Sequence, residues 1–303
     1  DGDGTPDGGD TLIDSAVTGA GGAFTLTAGL PVTYWVVVDS AAVAPSAGGS
    51  GVAEQTYGPP GAICTNGDSP ETQRTLGAAG ACFGGRRGDV PDDFAIGVNA
   101  EHVAGLVGPN AASRDLGFSF NVVTRADDSN TQGTLRRFLN NAKTVTGPNP
   151  MRFVPAVPVT IDLDAVPGNG DEWWQITLGA ILPDLTDANT TVDGTAYDLI
   201  NGSTVLDTNT GEGGNPDFPG KWVGTGANGV VEDGGDDPTL PTYLNPELEV
   251  DGNDVGLVFD IAASNTIVRR VSIYNSAPGV EGVLVSAGTG SLLTDSYVGV
   301  RAD

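Results

Sequence analysis

Short runs in which apolar and polar residues alternate, broken by Gly, Pro, Asn and Asp, recur along almost the whole chain, a pattern that predicts strands rather than helices. Up to Asn121 these runs are GAFTLTAGL, PVTYWVVVDS, DFAIGVNA and DLGFSFNVV. They predict a small β-sandwich over residues 1–121. Between Ser40 and Pro91 the alternation gives way to a Gly/Ala/Ser/Pro-rich stretch, read as a long loop inserted between strands.

One segment has helical period. In TQGTLRRFLNNAK, residues 131–143, Leu135, Phe138, Leu139 and Ala142 fall on one face, and Arg136, Arg137, Asn140 and Lys143 on the other. A short helix near 133–143 with one apolar face must cover something, and strand patterns follow it at once: MRFVPAV, VTIDLDAV, WWQITL, TTVDGT, LEVDG, GLVFDI, NTIVRRVSIYN, GVLVSAG and SLLTDSYVGV. The helix is therefore expected to cap the end of a stack of strands spanning 122–303.

Within that stack the chain repeats itself. Thr266–Ile273 aligns with Ser291–Val298 at an offset of 25, and Gly256-Leu-Val-Phe aligns with Gly282-Val-Leu-Val at 26. A period in this range with short strands in each unit is a solenoid pattern, with Val, Ile and Leu inward and Arg269, Arg270 and Asp295 on the outer wall or at turns. The last repeat runs out just before Asp303, so an open edge is expected to be met by more chain or by a neighbour.

Charge changes the picture next. The chain carries 39 Asp+Glu against 13 Lys+Arg, a formal charge of −26. That excludes a nucleic-acid partner, which needs a basic footprint. Gly 46 and Pro 20 together stay below the roughly 25–30% of disordered low-complexity chains. No apolar run approaches the ~18 residues of a membrane span, and no signal peptide opens the chain, so its targeting segment is expected to have been removed or to lie outside it. The acidity fits a surface soluble at high ionic strength, one that holds divalent cations, or simply an acidic secreted protein.

Cys64 and Cys82 lie in the inserted stretch without the His or second Cys pair of a zinc site. They predict a loop disulfide and an extracellular or cell-surface location, two free thiols being the competing reading. In DGDGTPDGGD, acidic residues on alternate positions match a calcium loop if Gly4 takes the sharp turn. Asp1, Asp3, Asp7 and Asp10 would then supply side-chain ligands and Thr5 a carbonyl to a structural calcium ion; a solvated acidic turn is the competing reading. The first ligand position falls before Asp1.

Catalytic patterns are thin. His102 is the single imidazole, and no nucleophile elbow accompanies it, which argues against a hydrolase triad. Acidic pairs such as Asp162/Asp164, Asp236/Asp237 and Asp251/Asp254 are too common to identify a glycosidase. Trp173, Trp174 and Trp222, with Arg269 and Arg270, are the candidate glycan contacts; buried packing residues are the competing reading of the tryptophans. Asn189-Thr-Thr and Asn201-Gly-Ser match the glycosylation triplet.

Through DGDGTPDGGD, the GAFTLTAGL–PVTYWVVVD pair and DLGFSF, the amino-terminal part resembles the calcium-binding B-type repeat of bacterial surface adhesins, a transthyretin-like sandwich. The resemblance implies a calcium loop at Asp1, Asp3, Asp7 and Asp10, and a first strand with no counterpart here. Through GTLRRFLNNAK, MRFVPAVP, WWQITLGAILPDLTDANTTVDGTAYD and SNTIVRRVSIYN, the remainder resembles the right-handed parallel β-helix segments of large bacterial secreted proteins. That class includes polysaccharide lyases, but no lyase-type cluster is visible, and fold alone confers no activity.

The expectation is therefore a non-enzymatic extracellular structural protein, a filament subunit that self-associates or a segment of a longer surface protein. One alternative is a carbohydrate-binding or polysaccharide-cleaving β-helix. Another is an adhesin that engages a protein receptor through the Ser40–Pro91 loop.

Overall fold

A computed structural model describes residues 11–27, 29, 34–67, 73–85, 101–107, 114–210, 245–299 and 301–302, with the backbone alone at 20, 41 and 101–107. Among these residues it is mostly β with one α-helix. No helix among the described residues is long and apolar enough to cross a membrane.

The amino-terminal strands are short. They are β1 (Tyr34–Asp39), β2 (Glu54–Gly58), β3 (Ile63–Thr65), β4 (Gln73–Thr75), β5 (Gly80–Ala81), β6 (Glu101–Val107) and β7 (Gly117–Ser119). β1 pairs antiparallel with β6, β2 lies between β5 and β7, and β3 and β4 form a hairpin. PVTYWVVVDS yields β1 as expected, while DFAIGVNA lies outside the described residues. GAFTLTAGL does not: residues 23–27 carry no strand, and Leu26 is solvent-exposed, with no ladder partner among the described residues.

The expected Ser40–Pro91 loop is also corrected. It contains β2, β3, β4 and β5 and a small core of Ala62, Cys64, Leu76 and Cys82. Its strands are two to five residues long and include polar residues buried by pairing, Glu54 and Gln55 among them, so no hydrophobic alternation announces them.

From residue 122 the ladders between strands become parallel, with one exception. The elements are β8 (Val122–Val123), α1 (Leu135–Ala142), β9 (Asn149–Pro150), β10 (Arg152–Phe153), β11 (Ile161–Asp162), β12 (Glu172–Thr177), β13 (Thr190–Asp193) and β14 (Leu248–Asp251). β15 (Phe259–Ile261), β16 (Ile267–Arg269), β17 (Val271–Tyr274), β18 (Val283–Val285), β19 (Leu292–Thr294) and β20 (Tyr297–Val298) follow. All nine strand segments expected here contain strand. One sheet runs β12-β14-β17-β20, with β11 antiparallel at its edge; a second joins β15 to β18 and extends to Leu185; a third runs β9-β13-β16-β19. The chain visits these sheets in the same order on each pass, so each pass lays a rung on the one before.

Corners make the rungs repeat. Asn189, Asn265 and Gly290 adopt left-handed backbone at one corner, and Arg270 and Asp295 at another. Asn and Asp tolerate that conformation better than most residues, and Gly accepts it freely. Gly194 turns so close to the next rung that a Cβ would lie 1.9 Å from the Arg270 carbonyl oxygen. The expected offset of 25 holds for β16 on β19 and β17 on β20, where Val268 pairs with Leu293 and Ile273 with Val298. The offset of 26 does not: Phe259 pairs with Val283 and Ile261 with Val285. Turns between strands differ in length from rung to rung, and a slip of two residues keeps every side chain on its face, so the periodic pattern could not detect it.

One apolar cluster fills the stack, from Val123 and Met151 through Trp174, Ile176, Val250, Phe259 and Val268 to Ile273. α1 buries Leu135, Phe138, Leu139 and Ala142, the face its period predicts, against β8 and its neighbours. Thr134 caps it by accepting from the Arg137 amide at 3.1 Å, and Asn149 of β9 donates to the Val145 carbonyl just beyond its end. On its polar face Arg136 chelates Asp128 at 2.8 Å through two nitrogens and donates to the Ala180 and Ile181 carbonyls.

The two regions are packed together across residue 121. Phe83 joins Val122 and Val154 in one cluster, Thr124 Oγ1 donates to Glu54 at 3.0 Å, and the buried Asn141 of α1 bonds both backbone groups of Val52 and the Phe120 carbonyl. Parallel pairing begins directly after Asn121, at β8.

Candidate functional site: the open end of the stack

Strands β18, β19 and β20 each form the edge of a sheet. Their inward side chains continue three apolar columns, and each column changes character at this rung. Ile261 is 0% exposed and its ladder partner Val285 is 57% exposed. Val268 and Ile273 are likewise fully buried, while Leu293 is 42% and Val298 47% exposed. Val280 adds a further exposed apolar group. Sequence pattern placed these residues inward and the structure keeps that direction, but no further rung covers them among the described residues. Among the described residues the result is an apolar end face bordered by sheet-edge strands, a surface suited to strand addition.

The wall of the stack offers less. Trp173 and Trp174 are buried, which removes them as stacking platforms for sugar rings. They are consecutive residues of β12 and face opposite sides: Arg301 lies 5.6 Å from the Trp173 ring, while Trp174 meets Phe153 edge-on at 5.8 Å and donates from Nε1 to the Val157 carbonyl. Arg269 is held by Asp193 at 2.7 Å, and Arg270 donates to Thr195 Oγ1 at 2.7 Å. These two arginines therefore tie adjacent rungs together, Arg270 from a left-handed corner. The wall site expected from Trp173, Trp174, Arg269 and Arg270 is not assembled; Trp222 lies outside the described residues.

Buried acids in the same region are also committed. Glu249 is fully buried and accepts from Gln175 Nε2 at 2.6 Å and the Ala302 amide at 2.7 Å. Glu247 accepts from the Thr208 and Asn209 amides at 2.7 and 3.1 Å, and burial pushes its carboxyl above the usual carboxylate range. Tyr274 is pushed up to about 12, by burial first and then by Glu249 and Asp251. Sequence reading missed these acids as structural groups, because outward positions on a strand are ordinarily solvated.

Cys64 and Cys82 form a disulfide, both half-cystines being buried, with Cα atoms 5.1 Å apart. Asp1, Asp3, Thr5, Asp7 and Asp10, the expected calcium ligands, lie outside the described residues, as does the side chain of His102. Among the described residues one group of acids could hold a metal ion: Asp162, Asp164 and Asp171 around the β11–β12 hairpin. The sequence marked the first two as a pair but gave no sign that Asp171 joins them. Comparison of the chain with protein-family models, with curated proteins and with solved structures finds no match.

Proposed function

We propose that this chain is a non-enzymatic structural protein of the cell exterior. Residues 122–302 are read as a segment of right-handed parallel β-helix with α1 as its cap, and the preceding residues as an adhesin-like β-sandwich stiffened by calcium at Asp1, Asp3, Thr5, Asp7 and Asp10. The observation that carries the reading is the apolar end face at Val285, Leu293 and Val298, each one rung beyond a fully buried partner. Such a face is stable when another rung stacks on it, supplied by a second copy in a filament or by a longer surface protein. The fixed order of three parallel sheets supports the β-helix, and the Cys64–Cys82 disulfide supports an oxidising compartment. The acidic surface, with only Lys143 and Lys221 as lysines, supports an exterior rich in salt or divalent cations.

Electron microscopy and sedimentation of the purified chain, with calcium and with a chelator, test the proposal. Ordered fibres that fray on chelation, and that Val285→Asp with Leu293→Asp abolishes, are the expected result. Dispersed particles at every concentration in both conditions would remove the self-associating form.

A further inference from the structure

We propose that the β11–β12 hairpin binds one divalent, oxygen-seeking cation, calcium by its ligand chemistry, between Asp162, Asp164 and Asp171. This site is separate from the acidic Asp1–Asp10 segment.

Antiparallel pairing of Ile161 with Trp173 and Asp162 with Glu172 fixes the hairpin. Its loop turns through left-handed backbone at Ala165, Gly168 and Gly170. Asp162 ends β11 and Asp164 lies in the bend that follows it. Asp171 reaches them from the returning arm, where a bridge to Asn209 holds its backbone and Thr210 donates to the Gly170 carbonyl at 3.2 Å. One carboxylate oxygen from each of the three lies within 4.8 Å of the others. Calcium–oxygen bonds of roughly 2.3–2.6 Å allow two oxygens on one ion to be at most about 5 Å apart, so the three fit a single coordination sphere.

Proximity of acids alone would not carry this. The independent observation is Asp171 itself, whose residue is only 3% exposed and whose Oδ1 is buried without a hydrogen-bond partner. Asp162 Oδ1 is a second buried oxygen in the same position. None of the ion pairs formed by described residues involves Asp162, Asp164 or Asp171. Buried carboxylate oxygens are ordinarily satisfied, and three like charges converging with no counter-charge among the described residues are stabilised by a cation. Asp164 is exposed, so the ion can enter from solvent and keep water in part of its shell. Carboxylate-only ligands disfavour zinc, which selects nitrogen and sulfur, and an irregular loop suits calcium better than magnesium, which demands a near-ideal octahedron.

Calorimetric titration of the chelator-stripped full chain with calcium chloride tests the site, with terbium emission sensitised by the neighbouring Trp173 as a second readout. Asp164→Asn, at the exposed ligand, should lower the bound ions by one per chain or weaken that ion by about ten-fold or more, because ligand charge sets calcium affinity. Asp171→Asn should do the same, abolish sensitised emission, and melt no lower than the parent in chelator. Asp3→Asn with Asp7→Asn should leave this ion bound. Calcium binding unchanged in folded Asp164→Asn and Asp171→Asn proteins, or absent from the parent at millimolar calcium, would overturn the proposal.

Discussion

In the amino-terminal region the largest described sheet has three strands, and the buried cluster at the disulfide holds Ala62, Cys64, Leu76 and Cys82. In residues 122–302 one cluster runs from Val123 to Ile273, and the longest sheet adds strands rung after rung. Both regions are built of strands only a few residues long. The difference lies in what covers them: each inner rung is buried by the rungs on either side, whereas among the described residues the small sheets share a four-residue cluster and are joined by a covalent bond. Stacking turns short segments into a continuous core, and a cross-link offsets the chain entropy that a small core cannot.

The comparison can be broken inside a single ladder. Ile261→Ala removes a fully buried side chain and should cost about 2–5 kcal/mol, while Val285→Ala, its partner one rung on, should cost under about 0.5 kcal/mol in the dispersed chain. Urea unfolding monitored by tryptophan fluorescence measures both. Equal losses would mean that the end rung is covered.

Replacing Cys64 and Cys82 by Ala should cost about 3 kcal/mol, the value for a closed loop of this size. Hydrogen exchange should show the loss at β2 to β5, with the amides of β14 and β17 little changed. Deprotection spreading through the stack would show that the regions fold as one unit, through contacts such as Asn141 to Val52.

A smaller effect separates charge from packing. Burial raises the Glu247 carboxyl in the folded protein, so its protonated form favours folding below the ordinary carboxylate value of 4.5, and that contribution is lost as pH rises through the raised folded value. Glu247→Gln should therefore gain thermal stability relative to the parent as pH rises from 4 to 7, and the gap should narrow again at acid pH. The smallest effect is spectroscopic: one of the 6 tyrosines, Tyr274, should ionise near pH 12, and Glu249→Gln should bring it down.

The stack was legible because its signals are local. The helical period named Leu135, Phe138, Leu139 and Ala142, and these are the buried residues of α1 along with Asn141, whose burial depends on a partner at Val52. The alternation found every strand segment after residue 150, and the offset of 25 gave two ladder registers. It failed at β15 on β18, where a two-residue slip leaves the same face inward. It failed again at β2 to β5, whose strands are defined by pairing rather than by apolar period.

Sequence by itself determined the mostly-β character, the helix and its buried face, the inward columns of the stack and the two cysteines available to pair. Those features follow from side-chain spacing along one strand or helix, which a few neighbouring residues encode. Tertiary structure decided the burial of Trp173 and Trp174, the pairing of Arg269 with Asp193, the burial of Glu249 under Ala302 and the meeting of Asp171 with Asp162 and Asp164. Each of these depends on chain returning beside itself at a particular height and turn length, and a periodic pattern records which side a residue faces but not what it will meet there.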